Sequence, residues 1–164
     1  KTYGSPTIDI AKALMSFKGI KRRFSYQIKT DDLVYIDDYA HHPTEINAVH
    51  QAVRELYPNE KVLAIFQPHL FSRTRDFADD FAKSLSAFDE VLLLDIYPAR
   101  ELPMEGITSD WLLDKMTNTD KKVVSKSDLI PSILKSNCKV IVTIGAGDIG
   151  ELVKTIKVAL NENI

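Results

Sequence analysis

The sequence predicts an α/β domain of three layers: a mostly parallel sheet of about six strands with helices on both faces. Two observations carry that prediction. Short apolar runs such as Val62-Leu63-Ala64-Ile65-Phe66 and Val140-Ile141-Val142 are apolar at consecutive positions, as in strands buried on both sides. Each run is followed by a longer amphipathic segment, the pattern of strands joined by crossover helices.

In chain order, residues 8–17 read as a short helix ended near Gly19. Residues 23–28 read as an edge strand and 33–36 as a compact apolar strand. Pro43 opens a helix with Ile46, Val49, Val53 and Leu56 on one face. Residues 61–66 form the next strand. The helix after it places Phe77, Phe81, Leu85 and Phe88 at helical spacing for burial. Residues 91–96 are a strand, and 109–116 a helix with Ser109 as its N-cap. Residues 123–124 make a short strand. Residues 127–134 make a helix whose start Pro131 limits. A strand at 139–144 and a closing helix at 148–160 complete a Rossmann-like order. Crossovers in such a sheet are right-handed.

The composition is that of an ordinary globular protein: 164 residues, 45% apolar and 27% charged. A formal charge of −2 gives no reason to expect nucleic-acid or membrane-surface binding. No apolar stretch approaches the roughly 20 residues that span a bilayer, and no signal peptide is visible. Cys138 is the single cysteine, so an internal disulfide is impossible. It reads as a packed side chain, in keeping with a reducing compartment. The chain opens on Lys1, in what reads as the tail of an earlier element, and is expected to be a piece of a longer protein.

Ligands of such sheets gather beyond the carboxyl ends of the strands, which singles out four runs. The first is Asp37-Asp38-Tyr39-Ala40-His41-His42-Pro43-Thr44-Glu45. Its carboxylates can hold ribose hydroxyls or an ammonium group, and its neutral histidines can donate or accept. The local alternative has His42 or a neighbour capping the helix, Pro43 as its first residue and the aspartates solvated. Asp38, His41 and His42 could also ligate a metal, a reading ranked below nucleotide or amino-acid binding because the i,i+4 histidine pair is missing.

The second run is Phe66-Gln67-Pro68-His69-Leu70-Phe71-Ser72-Arg73-Thr74-Arg75-Asp76. Arg73 and Arg75 stand where the next helix should begin. The macrodipole disfavours cations there unless an anion joins them; pairing with Asp76, Asp79 or Asp80 is the alternative. The third run, Tyr97-Pro98-Ala99-Arg100-Glu101, is either a pocket wall or a plain turn. The fourth, Gly145-Ala146-Gly147-Asp148-Ile149-Gly150, has the G-x-G-x-x-G form of a dinucleotide loop. It falls in the last strand–helix unit, with no room for the acidic ribose partner about 20 residues on. Its glycines read instead as permitting a tight turn and close packing. There is no G-x-x-x-x-G-K-[ST] phosphate loop and no Ser-His-Asp or Cys-His spacing, so this chain is expected to hold no complete ATP-consuming site.

The first two runs, with Arg22-Arg23-Phe24, Asp95-Ile96-Tyr97-Pro98-Ala99-Arg100-Glu101 and the 145–150 turn, resemble the Mur ligase family, in the branch that joins L-alanine to UDP-N-acetylmuramate. The resemblance covers nearly the whole chain. It implies a cytoplasmic bacterial enzyme of peptidoglycan synthesis with three domains: residues 1–20 would be the tail of the central domain and hinge, and residues 21–164 the C-terminal, amino-acid-binding domain. ATP and Mg²⁺ would serve the full-length enzyme, with the magnesium ligands outside this chain. L-alanine and ATP would meet this domain, and UDP-N-acetylmuramate mainly the others. Carried over by position, Arg23 and Asp38 would bind ATP, while Tyr39, His41, His69 and Arg73 would line the amino-acid site. Arg22, Asp37, His42 and Arg75 are further candidates, and no residue of the chain would be catalytic alone. Some members carry arginine where this chain has Leu70, so that contact would be lost here. The rivals are a ligase of the muropeptide-recycling type, a self-contained nucleotide-binding module, and a dehydrogenase domain resting on the terminal glycines.

Overall fold

A computed structural model describes residues 4, 6–17 and 19–163. The strands are β1 (Ser25–Lys29), β2 (Val34–Asp38), β3 (Val62–Phe66), β4 (Glu90–Leu93), β5 (Asp120–Val123) and β6 (Val140–Ile144). The helices are α1 (Thr7–Ser16), α2 (Pro43–Leu56), α3 (Phe71–Asp76), α4 (Ala78–Leu85), α5 (Ser109–Asp114), α6 (Lys126–Ile133) and α7 (Ile149–Asn161). The strands form one sheet in the order β1-β2-β6-β3-β4-β5, parallel except for the antiparallel edge strand β1. The expected six-stranded, three-layer architecture is the one observed.

Every residue of β2, β3 and β6 is buried. Alternate side chains feed two cores. Val34, Ile36 and Phe66 pack with Ile46 and Val53 of α2 and Phe81 and Leu85 of α4. Tyr35, Leu63, Ile65 and Ile141 pack on the other face with Leu129 of α6 and Ile149 and Ile156 of α7. The helix after β6 thus leaves to the opposite face from the helices after its neighbours β2 and β3. That reversal opens a crevice at the carboxyl edge. The register puts Asp38, Ile144 and Phe66 side by side, with Leu93 next to Phe66, so all four singled-out runs emerge at one edge.

Several local expectations are corrected. The helix expected through Phe77–Phe88 is two helices, α3 and α4, broken at Phe77 with φ −115° and ψ 22°. Phe77 is 37% exposed, while Phe81 and Leu85 are fully buried and Phe88 lies beyond the helix end, also buried. Leu56 is 55% exposed, outside the buried set Ile46, Val49 and Val53 of α2. Thr108, not Ser109, caps α5, its hydroxyl accepting from the Trp111 amide; the Ser109 hydroxyl donates to the Leu94 carbonyl instead. Pro131 lies inside α6, which starts ahead of it at Lys126 with Ser125 as cap. β4 ends at Leu93 rather than Ile96, although the Leu94 amide still donates to the Phe66 carbonyl and Leu94 and Ile96 stay buried. α1 buries none of its residues. Lys1 and the other residues of 1–3, with 5, 18 and 164, lie outside the described residues.

Candidate functional site

At the end of β2, Asp38 is 6% exposed, and its two oxygens accept from the Phe24 amide (2.6 Å) and the Ala40 amide (2.7 Å). One carboxylate therefore joins the 22–24 segment to the turn that carries Tyr39 and His41. The Tyr39 amide donates to the Arg22 carbonyl at 2.8 Å, tightening the same joint. Arg22 and Phe24 hold left-handed backbones at φ 58° and 44°, conformations that persist where the surroundings impose them.

The adjacent arginines have different duties. Arg22 donates from Nε to Asp37 (3.0 Å) and from Nη2 to the Gly145 carbonyl (2.7 Å), locking β2 to the glycine turn. Asp37 is 1% exposed and also accepts from Thr143 Oγ1 at 2.9 Å. Both residues are thus structural clamps beside the site. The Arg23 guanidinium makes no hydrogen bond among the described residues and lies 5.9 Å from the Tyr39 ring centroid. It borders a cavity of about 330 Å³ with Phe24, Asp38, Glu45, Val49 and Ala52.

His42 takes the local role. It is the N-cap of α2, its Nδ1 accepting from Thr44, and Glu45 closes a capping box by accepting from the His41 and His42 amides. Its ring also packs on Phe77 at 4.6 Å. His41 instead faces the crevice. Its ring lies 5.4 Å from Tyr39 and 6.2 Å from His69, centroid to centroid. Among the described residues no three His, Cys, Asp or Glu side chains are placed to hold a metal ion.

Across the crevice, His69 stacks on Tyr97 at 5.6 Å, and the two residues pair as an isolated parallel bridge. The third run is therefore a pocket wall. Burial lowers the His69 pKa, and the charges of Arg73 and His41 lower it further; its ring is neutral at neutral pH. His69 Nδ1 and Arg73 Nη1 are both buried without a hydrogen-bond partner. An orphaned buried donor is costly unless something absent from the chain completes it.

The helix-terminus argument for the arginines needs correction. Arg73 and Arg75 occupy the last turn of α3, not the start of a helix, and there the macrodipole tolerates a cation. Arg73 nevertheless has its Nη1 buried and stands near enough to His69 for its charge to lower the His69 pKa. Arg75 instead pairs with exposed Asp76 at 2.7 Å. The structure brings Tyr39, His41, His69 and Arg73 together and sets Arg75 apart.

Sequence reasoning missed two groups. Gln67, 2% exposed, donates to Asp148 (2.8 Å) and accepts from the Ile149 amide (2.9 Å), capping α7 from another strand. Glu101 accepts from the Ser72 amide at 2.9 Å and from its hydroxyl. The polar Gln67 after an apolar strand was the one local signal; nothing local foretold Glu101. The glycine turn is packed as expected, but against side chains. A Cβ on Gly147 would collide with the Gln67 carboxamide and lie 2.8 Å from the Tyr97 Cβ; one on Gly150 would lie 2.5 Å from Arg22.

The family model described as "Mur ligase, glutamate ligase domain" matches residues 22–147. The UDP-N-acetylmuramate–L-alanine ligase of Flavobacterium johnsoniae is 77% identical over 164 residues, covering 100% of this chain and 36% of that protein. The Flavobacterium psychrophilum protein of the same name is 75% identical, over 99% of this chain and 36% of its own length. The crystal structure of the Thermotoga maritima UDP-N-acetylmuramate-alanine ligase superposes with a TM-score of 0.70 at 27% identity, covering 98% of this chain and 35% of that one. The chain thus spans about a third of the length of its relatives.

Proposed function

Because the chain belongs to the Mur ligase family, we propose that it is the C-terminal domain of an ATP-dependent ligase that joins L-alanine to UDP-N-acetylmuramate. The observation that carries the reading is the pair of buried, unpartnered atoms, His69 Nδ1 and Arg73 Nη1, four residues apart at the carboxyl edge. A guanidinium with a free donor fits the carboxylate of an amino acid. A neutral imidazole fits its amino group, which must shed a proton before it can attack. Tyr39 and His41 form the facing wall. This is the L-alanine site of the proposal.

Arg23 and the cavity beside Phe24 and Asp38 are proposed to receive part of ATP. Both Asp38 oxygens already accept an amide, so a ribose hydroxyl would take a remaining lone pair rather than a free oxygen. The domain supplies no nucleophile. It contributes position and charge to a reaction in which the muramate carboxylate becomes an acyl phosphate and the alanine amino group displaces phosphate. Magnesium is assigned to residues outside this chain. Residues 1–20 are proposed to belong to the preceding domain, which is supported by the exposure of α1 and by a family match that begins at residue 22. The protein is proposed to act in the bacterial cytoplasm.

The test is phosphate release by the full-length protein with ATP, Mg²⁺, UDP-N-acetylmuramate and one amino acid at a time. L-alanine should give the highest rate, and Arg73→Ala should abolish it. Release with a peptide alone would assign the protein to muropeptide recycling; no release with any acceptor would refute the ligase reading.

A further inference from the structure

The segment that carries His69 and Arg73 is held from outside. Leu70 between them sits at φ 73° and ψ 131°, a backbone that a non-glycine residue keeps only when its surroundings over-determine it. Those surroundings are the loop after β4. The Tyr97 amide donates to the Pro68 carbonyl (2.8 Å), and the Leu70 amide donates to the Tyr97 carbonyl (2.9 Å). The loop turns back at Ala99, φ 51°, with the Glu101 amide donating to the Pro98 carbonyl. That turn aims Glu101 at α3, whose own N-cap, Leu70, offers no side-chain acceptor. Glu101 accepts both the amide and the hydroxyl of Ser72, the residue before Arg73.

We infer that Glu101 is a positioning residue for the amino-acid site: the 97–101 loop clamps residues 68–72 at both ends and so sets where His69 and Arg73 stand. Glu101 touches no substrate in this scheme. Its effect on alanine rests on the ligase reading above; the clamp itself does not.

The experiment uses the full-length protein with Glu101→Ala, Glu101→Gln and Ser72→Ala. In Glu101→Ala the KM for L-alanine should rise roughly tenfold, the scale expected of a small displacement in a preorganised site. The KM for ATP should stay within about twofold. Glu101→Gln, which keeps one acceptor oxygen, should recover part of the loss, and Ser72→Ala should fall between it and wild type. Amide hydrogen exchange should quicken at residues 71–76 and stay unchanged in β3. An unchanged alanine KM, or an equal rise for ATP, overturns the inference. So does unchanged exchange at 71–76. If the wild-type protein uses no alanine, the ligase reading fails and the exchange arm decides the clamp alone.

Discussion

Replacing Arg22 with alanine should destabilise the fold more than any other loss of a partly exposed side chain at this edge. The substitution removes two hydrogen bonds, to Asp37 and to the Gly145 carbonyl. It leaves the Asp37 carboxylate, 1% exposed, with Thr143 as its remaining side-chain donor. Stripping the partner from a buried charge costs about 3–5 kcal/mol. Arg22 is itself 25% exposed, so water reaches part of the vacated space, and about 2–3 kcal/mol is expected here. At roughly 2–4 °C per kcal/mol for a domain of this size, the melting temperature should fall by about 5–10 °C. The assay is thermal and urea unfolding of the 164-residue chain, followed by circular dichroism. A double-mutant cycle with Asp37→Asn isolates the cause, because the neutral amide leaves no buried charge to strand. In that background the Arg22→Ala cost should shrink to about 1 kcal/mol. Arg22→Lys should lie between, having lost the planar fork. A cost below about 0.5 kcal/mol, or an equal cost in both backgrounds, would refute the reasoning.

Gly147→Ala should destabilise by about 2–3 kcal/mol, since its Cβ drives Gln67 off the Ile149 amide and presses on Tyr97; a neutral change in urea midpoint would show the turn to be slack, and measurable NAD binding by the parent chain would revive the dehydrogenase rival. Val53→Ala should cost about 2 kcal/mol and Leu56→Ala less than about 0.5, because Val53 is fully buried and Leu56 is 55% exposed; equal costs would contradict the register assigned to α2. Burial pushes the Asp89 carboxyl up, but the Val62 amide and the Arg54 guanidinium outweigh it and hold it below the usual range. Its contribution to stability is therefore present above the unfolded carboxylate pKa of about 3.9 and fades as pH falls through the lower folded value. Asp89→Asn should accordingly lower stability at pH 7 and converge on wild type in acid; a gap that widens with acidification would reverse that sign.

Much of this protein was legible in its residues. Consecutive apolar runs such as Val62–Phe66 marked buried strands, because only a sheet covered on both faces hides both sets of side chains. The Asp37–Glu45 and Phe66–Asp76 runs marked the carboxyl edge of the sheet as the place to look, because strands buried on both faces leave their polar groups to the strand ends. Pro43 as first helical residue, with a cap at His42 or beside it, was readable too, since capping is decided within four residues. Other features depended on contacts that no local pattern encodes. That β6 lies between β2 and β3 joins Arg22 to a carbonyl 123 positions away, and it is the strand order that brings Thr143 of β6 to the Asp37 carboxylate. The break at Phe77 was not legible, because helical spacing alone cannot distinguish one long helix from two. Glu101 met Ser72 because the β4 loop folds back across the edge. The sequence by itself determined which groups are buried and which are available, since those follow from the chemistry of each residue and its near neighbours. Which of the available groups meet was decided by the tertiary structure, because a hydrogen bond across the sheet depends on strand order and register, and those are set by the burial of the whole core at once.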